Sequence, residues 1–324
     1  MPSSSPARAA GVLVLAAVLV APPAAGAARA RHPAPALRLV VSGSDRVGGS
    51  WVAVRGQRLR VVGTVRDPVP GEVVAVTGFA GRRRVLQARR TVTRFGSGGR
   101  FTLGLRASRV GRLFLHAAVV PGPGRPRLSA AAPPVDVISP YASVGVRGLR
   151  VWFLQQRLGQ LHYRVPHSGY YDGGTARAVL AYRKVNGMPR QFSAGAAIFL
   201  RLARMRGAFH ARYPGHGSHV EADLGRQVLA LIDPHGHVYQ VLVLSSGKPS
   251  TPTVLGSFHF YSKTPGTNAE GMVDSNYFIG GYAVHGYPDV PTYPASHGCL
   301  RIPIPDASFV FGWIRLGQRI DVYY

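Results

Sequence analysis

The segment YPASHGCLRIP, residues 293–303, contains Cys299, the only cysteine of this 324-residue chain. His297 precedes this cysteine by two residues, Arg301 follows it by two, and His285 lies further upstream. Only the thiolate of a cysteine is a competent nucleophile, and a neighbouring base or positive charge is needed to generate it near neutral pH. The residue types therefore predict nucleophilic catalysis by Cys299, with a histidine as the base.

The spacing around the cysteine predicts how these groups face one another. In an extended strand, residues 297, 299 and 301 share one face, whereas Leu300 and Ile302 point to the other face and into a core. Gly298 has no Cβ, so we expect substrate to approach closely and the N–H groups of residues 298 and 299 to be free for an oxyanion.

Two histidines compete for the role of base. The strand alternation favours His297, because it would lie on the face of Cys299. Residues two apart on a strand nevertheless have Cα atoms about 6.5 to 7 Å apart and parallel side chains, which makes a direct hydrogen bond awkward. A histidine from another strand, such as His285, can point its ring at the sulfur. Local geometry alone leaves this choice open.

A zinc site is the competing chemical interpretation. His259, His285, His297 and Cys299 are all possible zinc ligands. No pair has a familiar ligand spacing and a second cysteine is missing, so we predict neither a metal nor a cofactor. A buried structural cysteine with satisfied histidines is the other alternative.

The amino terminus predicts export. Residues 1–30 contain an early arginine, a short apolar run broken by two prolines, and small residues resembling a cleavage site, as in a secretory signal peptide; a retained membrane anchor is the alternative. The formal net charge of +26 is carried almost wholly by arginine. Outside the cytoplasm such a chain is attracted to anionic cell-wall polymers, and no motif supports binding of nucleic acid.

The remaining chain divides into three predicted domains. Residues 37–140 alternate apolar and polar side chains between turns, which predicts an all-β immunoglobulin-like sandwich that acts as a spacer. Residues 141–206 have helical periodicity and predict a small three-helix module, with Thr175 as the N-cap candidate of its second helix. Residues 218–324 predict a mainly-β domain with a short helix near residues 306–314.

Two stretches of the helical module carry a resemblance. GLRVWFLQQRLGQLHY and GGTARAVLAYRKVNGM resemble the paired helices of the peptidoglycan-binding domain family over residues 141–206. Arg183 stands where that family often has glutamine, so the glycan contacts of the family are not transferred to this chain.

The last domain carries a second resemblance. VHGYPDVPTYPASHGCLRIP resembles the motifs of the L,D-transpeptidase catalytic domain family, an H-G followed by S-H-G-C-[VIL]-R. LSSGKPSTPTVLGSFHF and DASFVFGWIRLGQRIDVYY resemble further segments of the family in the same order. One departure is Tyr287, where the family often has threonine.

The second resemblance implies a catalytic domain that acts on peptidoglycan. It assigns Cys299 as nucleophile, His285 as general base and acid, and His297 as their catalytic neighbour. The substrate-binding and oxyanion residues that it implies are Ser296, Gly298, Arg301, Gly286 and Tyr287.

The implied reaction forms an acyl-enzyme on Cys299 from a stem tetrapeptide, with loss of the terminal D-alanine, and transfers the acyl group to an amine of a second stem in a 3→3 cross-link. Carbapenem β-lactams would then be covalent inhibitors. Two alternatives remain open: a peptidoglycan peptide hydrolase that uses the same acyl-enzyme, and a non-catalytic wall-binding scaffold.

Overall fold

The computed structural model describes residues 36–122 and 127–324. The predicted signal peptide, residues 1–30, lies outside this range. Among the described helices, none combines the length and the apolar character needed to span a bilayer.

The amino-terminal region is all β, as the alternating sequence predicts. Its strands are β1 (Leu37–Ser42), β2 (Asp45–Val47), β3 (Ser50–Val54), β4 (Arg58–Arg66), β5 (Val73–Ala80), β6 (Arg83–Thr91), β7 (Thr93–Phe95), β8 (Gly98–Arg106), β9 (Gly111–Val119), β10 (Ser129–Ala131) and β11 (Val135–Ile138). One sheet has the order β1-β4-β8-β7 and the other the order β2-β3-β11-β9-β5-β6, with β10 paired to β9. The inward side chains of both sheets form one apolar core.

Three helices follow, α1 (Leu149–Gln160), α2 (Gly173–Val185) and α3 (Ala196–Leu202). The side chain of Asp172 accepts the N–H of Thr175 at 2.8 Å and caps α2. The prediction of Thr175 as N-cap is therefore wrong: an aspartate three residues earlier can receive the orphan N–H, which places Thr175 inside the first turn.

The carboxy-terminal region contains two sheets and one helix. Its elements are β12 (His219–Asp223), β13 (Val228–Ile232), β14 (Val238–Val243), β15 (Gly256–His259), β16 (Ser262–Thr267), β17 (Val273–Ile279), β18 (Tyr282–Tyr287), β19 (Leu300–Pro303), α4 (Ile304–Trp313) and β20 (Arg319–Tyr323). The sheets have the orders β14-β13-β12-β20-β15 and β16-β17-β18-β19. Their facing side chains and those of α4 form one core.

Helix α2 packs on the outer face of this five-stranded sheet, and α1 and α3 extend the same apolar cluster. Val228, Ala230 and Ile232 of β13 belong to the same apolar cluster as the buried side chains of α1, α2 and α3. Every residue of β13 is buried, because the helical module covers one face of the strand and the core of the last domain covers the other. The helical module and the last domain thus share a hydrophobic core.

A buried lysine joins α2 to this sheet. The ammonium group of Lys184 donates to the carbonyl oxygens of Gln227 and Leu244, each at 3.0 Å. Burial, with a smaller effect of the nearby Arg190, lowers the pKa of Lys184 from 10.5 to about 7.

This lysine makes stability depend on pH. Between the folded pKa of about 7 and the unfolded value of 10.5, the unfolded chain binds a proton that the folded chain does not, so the free energy of unfolding rises with pH. Each pH unit contributes at most about 1.4 kcal/mol. We expect the wild type to gain roughly 2–4 kcal/mol relative to Lys184→Met between pH 7 and pH 10.

Urea unfolding of both proteins at several pH values measures this difference. Lys248→Met, which removes a lysine outside the shared core, is the matched control and should follow the wild-type curve. Parallel curves for wild type and Lys184→Met would contradict the prediction.

Candidate active site

Two parallel strands position the predicted catalytic residues. In the register of β18 and β19, His285 lies opposite Arg301 and Val284 lies opposite Leu300. Opposite residues of paired strands project from the same face of a sheet. Leu300 and Ile302 are 0% and 1% exposed in the core, which confirms the inward direction predicted for both.

The position that a side chain of Gly286 would occupy faces α4, and the predicted part of this residue in substrate binding stays a prediction. A Cβ at this position would lie 2.6 Å from the Cβ of Ala307 in α4 and 3.2 Å from that of Val273. The alternation of β18 turns Gly286 away from His285, so its role in this structure is to let α4 pack closely.

Substitution of this glycine should therefore destabilise the fold. Overpacking at a tight helix–sheet contact costs about 1–3 kcal/mol, which we expect for Gly286→Ala. Gly312→Ala, also at α4 but with open space around the glycine, is the matched control and should change stability by less than about 1 kcal/mol. Thermal unfolding measures both, and equal midpoints for the two variants would contradict the close-packing role.

The residues before Cys299 form a turn and not an extended strand. Gly298 has a φ of +118°, a conformation that glycine adopts readily, and the Tyr282 ring occupies the space of a Cβ at this position. The turn interrupts the alternation, so the prediction that His297 shares a face with Cys299 and Arg301 is wrong.

The hydroxyl of Ser296 stabilises this turn through two hydrogen bonds. It donates to the carbonyl oxygen of Cys299 at 2.6 Å and accepts the N–H of Gly298 at 3.1 Å. Ser296 is 1% exposed, so it holds the turn and does not line an open wall. The N–H of Gly298 is consequently engaged, contrary to the prediction, and the N–H of Cys299 remains as the candidate oxyanion donor.

His297 lies on the outside of the turn. Its ring is exposed, and Nε2 lies 3.4 Å from the ammonium nitrogen of Lys248. Lys248 was not predicted as a site residue, although it belongs to the quoted segment LSSGKPSTPTVLGSFHF. The pair places two basic groups beside the cysteine turn.

The thiol of Cys299 is partly buried and protonated at rest. It donates to the carbonyl oxygen of Gly281 at 3.7 Å. Burial raises the pKa of the Cys299 thiol, and a backbone hydrogen bond from Ala283 and the charge of Arg301 oppose this only in part. Nucleophilic attack by this sulfur would therefore require a base that removes the proton.

His285 is suited to be that base. Its ring is 2% exposed, and Nδ1 lies 2.9 Å from the carbonyl oxygen of Gly286. A carbonyl oxygen only accepts, so Nδ1 carries the proton and Nε2 has a free lone pair in the neutral ring. Burial and the Arg301 charge lower the pKa of His285, despite the opposing hydrogen bond to Gly286, which keeps the ring neutral at pH 7.

Tyr287 and Arg301 complete a cluster on the face of His285. The guanidinium of Arg301 stacks 4.1 Å from the centre of the Tyr287 ring, which contacts the His285 ring edge-on at 5.6 Å. A guanidinium nitrogen of Arg301 also lies 3.8 Å from a carboxylate oxygen of Asp289. The arrangement fixes one positive charge beside the thiol.

A hydrogen-bonded chain that sequence reasoning missed connects this turn to α2. Lys184 donates to the carbonyl of Gln227, whose side-chain amide is bonded to both the hydroxyl and the N–H of Ser246. The carbonyl of Ser246 in turn accepts the N–H groups of Ala295 and Ser296. No local sequence signal predicts this chain, since its members come together only through the fold.

The zinc interpretation gains no support from the geometry. Within residues 36–122 and 127–324, no three His, Cys, Asp or Glu side chains converge as metal ligands. The cluster instead combines a protonated thiol, a neutral imidazole and a fixed guanidinium, which together suit acyl transfer through a covalent thioester.

Comparison with known proteins finds a family for the last domain. The model of the YkuD family, the L,D-transpeptidase catalytic domain, matches residues 217–322. An L,D-transpeptidase from Xylanimonas cellulosilytica is 32% identical with a TM-score of 0.53, covering 56% of this chain and 97% of that one. An L,D-transpeptidase from Stackebrandtia nassauensis is 20% identical with a TM-score of 0.35, covering 56% and 95%. A search of curated protein sequences gives no match.

Proposed function

Because the chain belongs to the L,D-transpeptidase family, we propose that it is a cysteine acyltransferase that cross-links peptidoglycan stem peptides. The observation that carries this proposal is the pairing of β18 with β19, which brings the buried His285 and Arg301 to the face next to Cys299. A neutral histidine with a free Nε2 beside a protonated thiol is the arrangement that general-base activation requires.

The first half-reaction would form the acyl-enzyme. Donor binding turns the Cys299 thiol from Gly281 towards Nε2 of His285, which takes the proton as the sulfur attacks the carbonyl carbon of the third residue. The N–H of Cys299 stabilises the resulting oxyanion. Collapse of the intermediate breaks the peptide bond, and the departing D-alanine amine takes the proton from His285. A thioester remains on Cys299.

The second half-reaction would resolve the thioester. The amine of a second stem attacks the thioester carbonyl, and His285 accepts the proton that the amine loses. Collapse forms the new amide, and the thiolate of Cys299 recovers the proton from His285. Water in place of the amine would give hydrolysis with the same residues, so the acceptor decides between transferase and hydrolase.

Product analysis distinguishes these reactions and tests the proposal. Purified disaccharide tetrapeptide is incubated with the full chain, and the products are analysed by mass spectrometry. We expect a dimer whose mass is that of two donors less one alanine. A tripeptide product without dimer would indicate a hydrolase, and unchanged substrate would favour a non-catalytic wall-binding scaffold.

We further propose that the protein is exported and that residues 141–206 help to hold it on the wall. The apolar amino terminus supports export, and the two helix motifs support wall binding. The similarity to the Xylanimonas protein covers 56% of the chain, a longer stretch than residues 217–322. Since the helices share a core with β13 and β14, wall binding should be measured on the full chain. The immunoglobulin-like assignment of residues 37–140 is part of the same proposal.

A further inference from the structure

The outer face of the sheet β1-β4-β8-β7 carries an unusual set of side chains. The strand alternation points Leu37, Leu39, Leu59, Val61 and Leu103 into the core, which directs the alternate residues outward. Six of these outward residues are arginines, and we call their surface the arginine face: Arg38, Arg58, Arg60, Arg66, Arg100 and Arg106.

The arginine face has no compensating negative charge. Its other outward residues are neutral: Val40, Ser42, Val62, Thr64, Thr93, Phe95, Gly98, Thr102 and Gly104. In the part of the chain that the structure describes, none of the six arginines forms an ion pair. Arg58 even lies directly opposite Arg106 in the register of β4 and β8, a placement of like charges that destabilises a sheet.

Protection of a sheet edge does not explain this placement. Charged residues on an edge strand prevent pairing with other chains, and the arginines of β6 serve at such an edge, because β6 ends its sheet. The strands β4 and β8, which carry five of the six arginines of the arginine face, are interior strands. Their outward arginines therefore need another reason.

The arrangement fits an extended anionic ligand. Arg58 and Arg66 stand at the two ends of β4, about 27 Å apart at the usual rise per residue. A hydroxyl group lies beside one of the arginines, since Thr64 pairs with Arg100. The hydroxyl of Ser42 instead donates to the carbonyl oxygen of Arg60 at 3.2 Å. A tetrahedral phosphodiester can accept from a guanidinium on one strand and a hydroxyl on the next at the same time.

We propose that the arginine face binds a linear polymer of phosphate groups that lies along β4 and β8. The outward positions on these two strands include no aromatic residue. The neighbouring aromatic ring, Phe95 of β7, is stacked against the guanidinium of Arg100 at 3.6 Å. A face with six arginines and a single ring that is already stacked favours phosphates over a row of stacked bases. This binding site is independent of the chemistry at Cys299 and gives the amino-terminal region a function as an anchor.

Inorganic polyphosphate tests the proposal on the full chain. The face variant replaces Arg58, Arg60, Arg66 and Arg106 by threonine, which suits a strand. The matched control replaces Arg83, Arg84, Arg89 and Arg90 of β6 by threonine and so removes the same charge. We expect the face variant to bind polyphosphate at least tenfold more weakly at 150 mM salt, with a shallower dependence of affinity on salt. The control should stay within threefold of wild type.

Several results would overturn the proposal. An equal loss in both variants would show that net charge alone attracts the polymer. Polyglutamate of matched charge binding as tightly as polyphosphate would show that phosphate is not the ligand class. A preference for oligothymidylate over polyphosphate would point to nucleic acid.

A footprint on the unmutated protein keeps the test valid if the face variant does not fold. Phenylglyoxal modifies accessible arginines, and peptide mass spectrometry locates the modified residues. We expect polyphosphate to protect Arg58, Arg60, Arg66 and Arg106, while the β6 arginines stay reactive. Uniform protection, or none, would contradict a defined binding face.

Discussion

Cys299→Ala abolishes covalent labelling by a carbapenem and lowers acyl transfer from a disaccharide tetrapeptide by at least about 10⁴-fold. The strained lactam imitates the acyl donor, and Cys299 supplies the only thiol of the chain. Intact-protein mass spectrometry should find one adduct on the wild type and none on the variant. A labelled Cys299→Ala protein would show that the nucleophile lies elsewhere.

A stability measurement distinguishes loss of the nucleophile in Cys299→Ala from loss of the fold. The substitution removes one long hydrogen bond, from the thiol to the carbonyl of Gly281, and a small volume at a half-buried position. We expect the free energy of unfolding to fall by about 1 kcal/mol or less. Thermal unfolding of the variant should therefore give a midpoint close to that of wild type.

His285→Ala should lower the rate of carbapenem acylation by about 10²–10⁴-fold, the usual contribution of a positioned general base. The pKa of His285 is lowered by burial and by Arg301, so the base is neutral at pH 7. The wild-type rate should fall only when the pH drops through this lowered pKa, below 6.5. His285→Ala should lose that acidic limb of the pH profile.

His297→Ala is the matched control for the base. It removes the same kind of side chain near the cysteine, but the ring of His297 is exposed and contacts Lys248. We expect this variant to keep the acidic limb and most of the acylation rate. If the two variants exchange these behaviours, His297 is the base.

Local patterns predicted the parts of the site that depend on local geometry. The alternation of β19 is sufficient to place Leu300 and Ile302 in the core, and a lone cysteine between basic residues pointed to the position of the cluster. The same alternation fails two residues before the strand begins. Gly298 adopts a positive φ there. Glycine populates positive and negative φ about equally, so the sequence does not predict which conformation the fold selects.

Residues whose surroundings come from distant segments could not be placed from the sequence. Gly286 packs against Ala307 of a helix that follows the site. From its charge and its place in the helix sequence, Lys184 would be expected at the solvent-exposed surface. Its ammonium group instead donates to two backbone carbonyl groups next to the sheet. The family resemblance implied substrate binding for Ser296, whereas its hydrogen bonds to Cys299 and Gly298 stabilise the turn.

The shared core of the helices and β13 has a consequence for the order of synthesis. A ribosome completes α1, α2 and α3 before it begins β13 and β14, since the chain is made from its amino terminus. Until those strands emerge, the helix side chains that β13 covers are exposed to water, and such transient apolar surface favours aggregation. A nascent chain that ends just after residue 206 should therefore recruit chaperones more strongly than one that ends after β14.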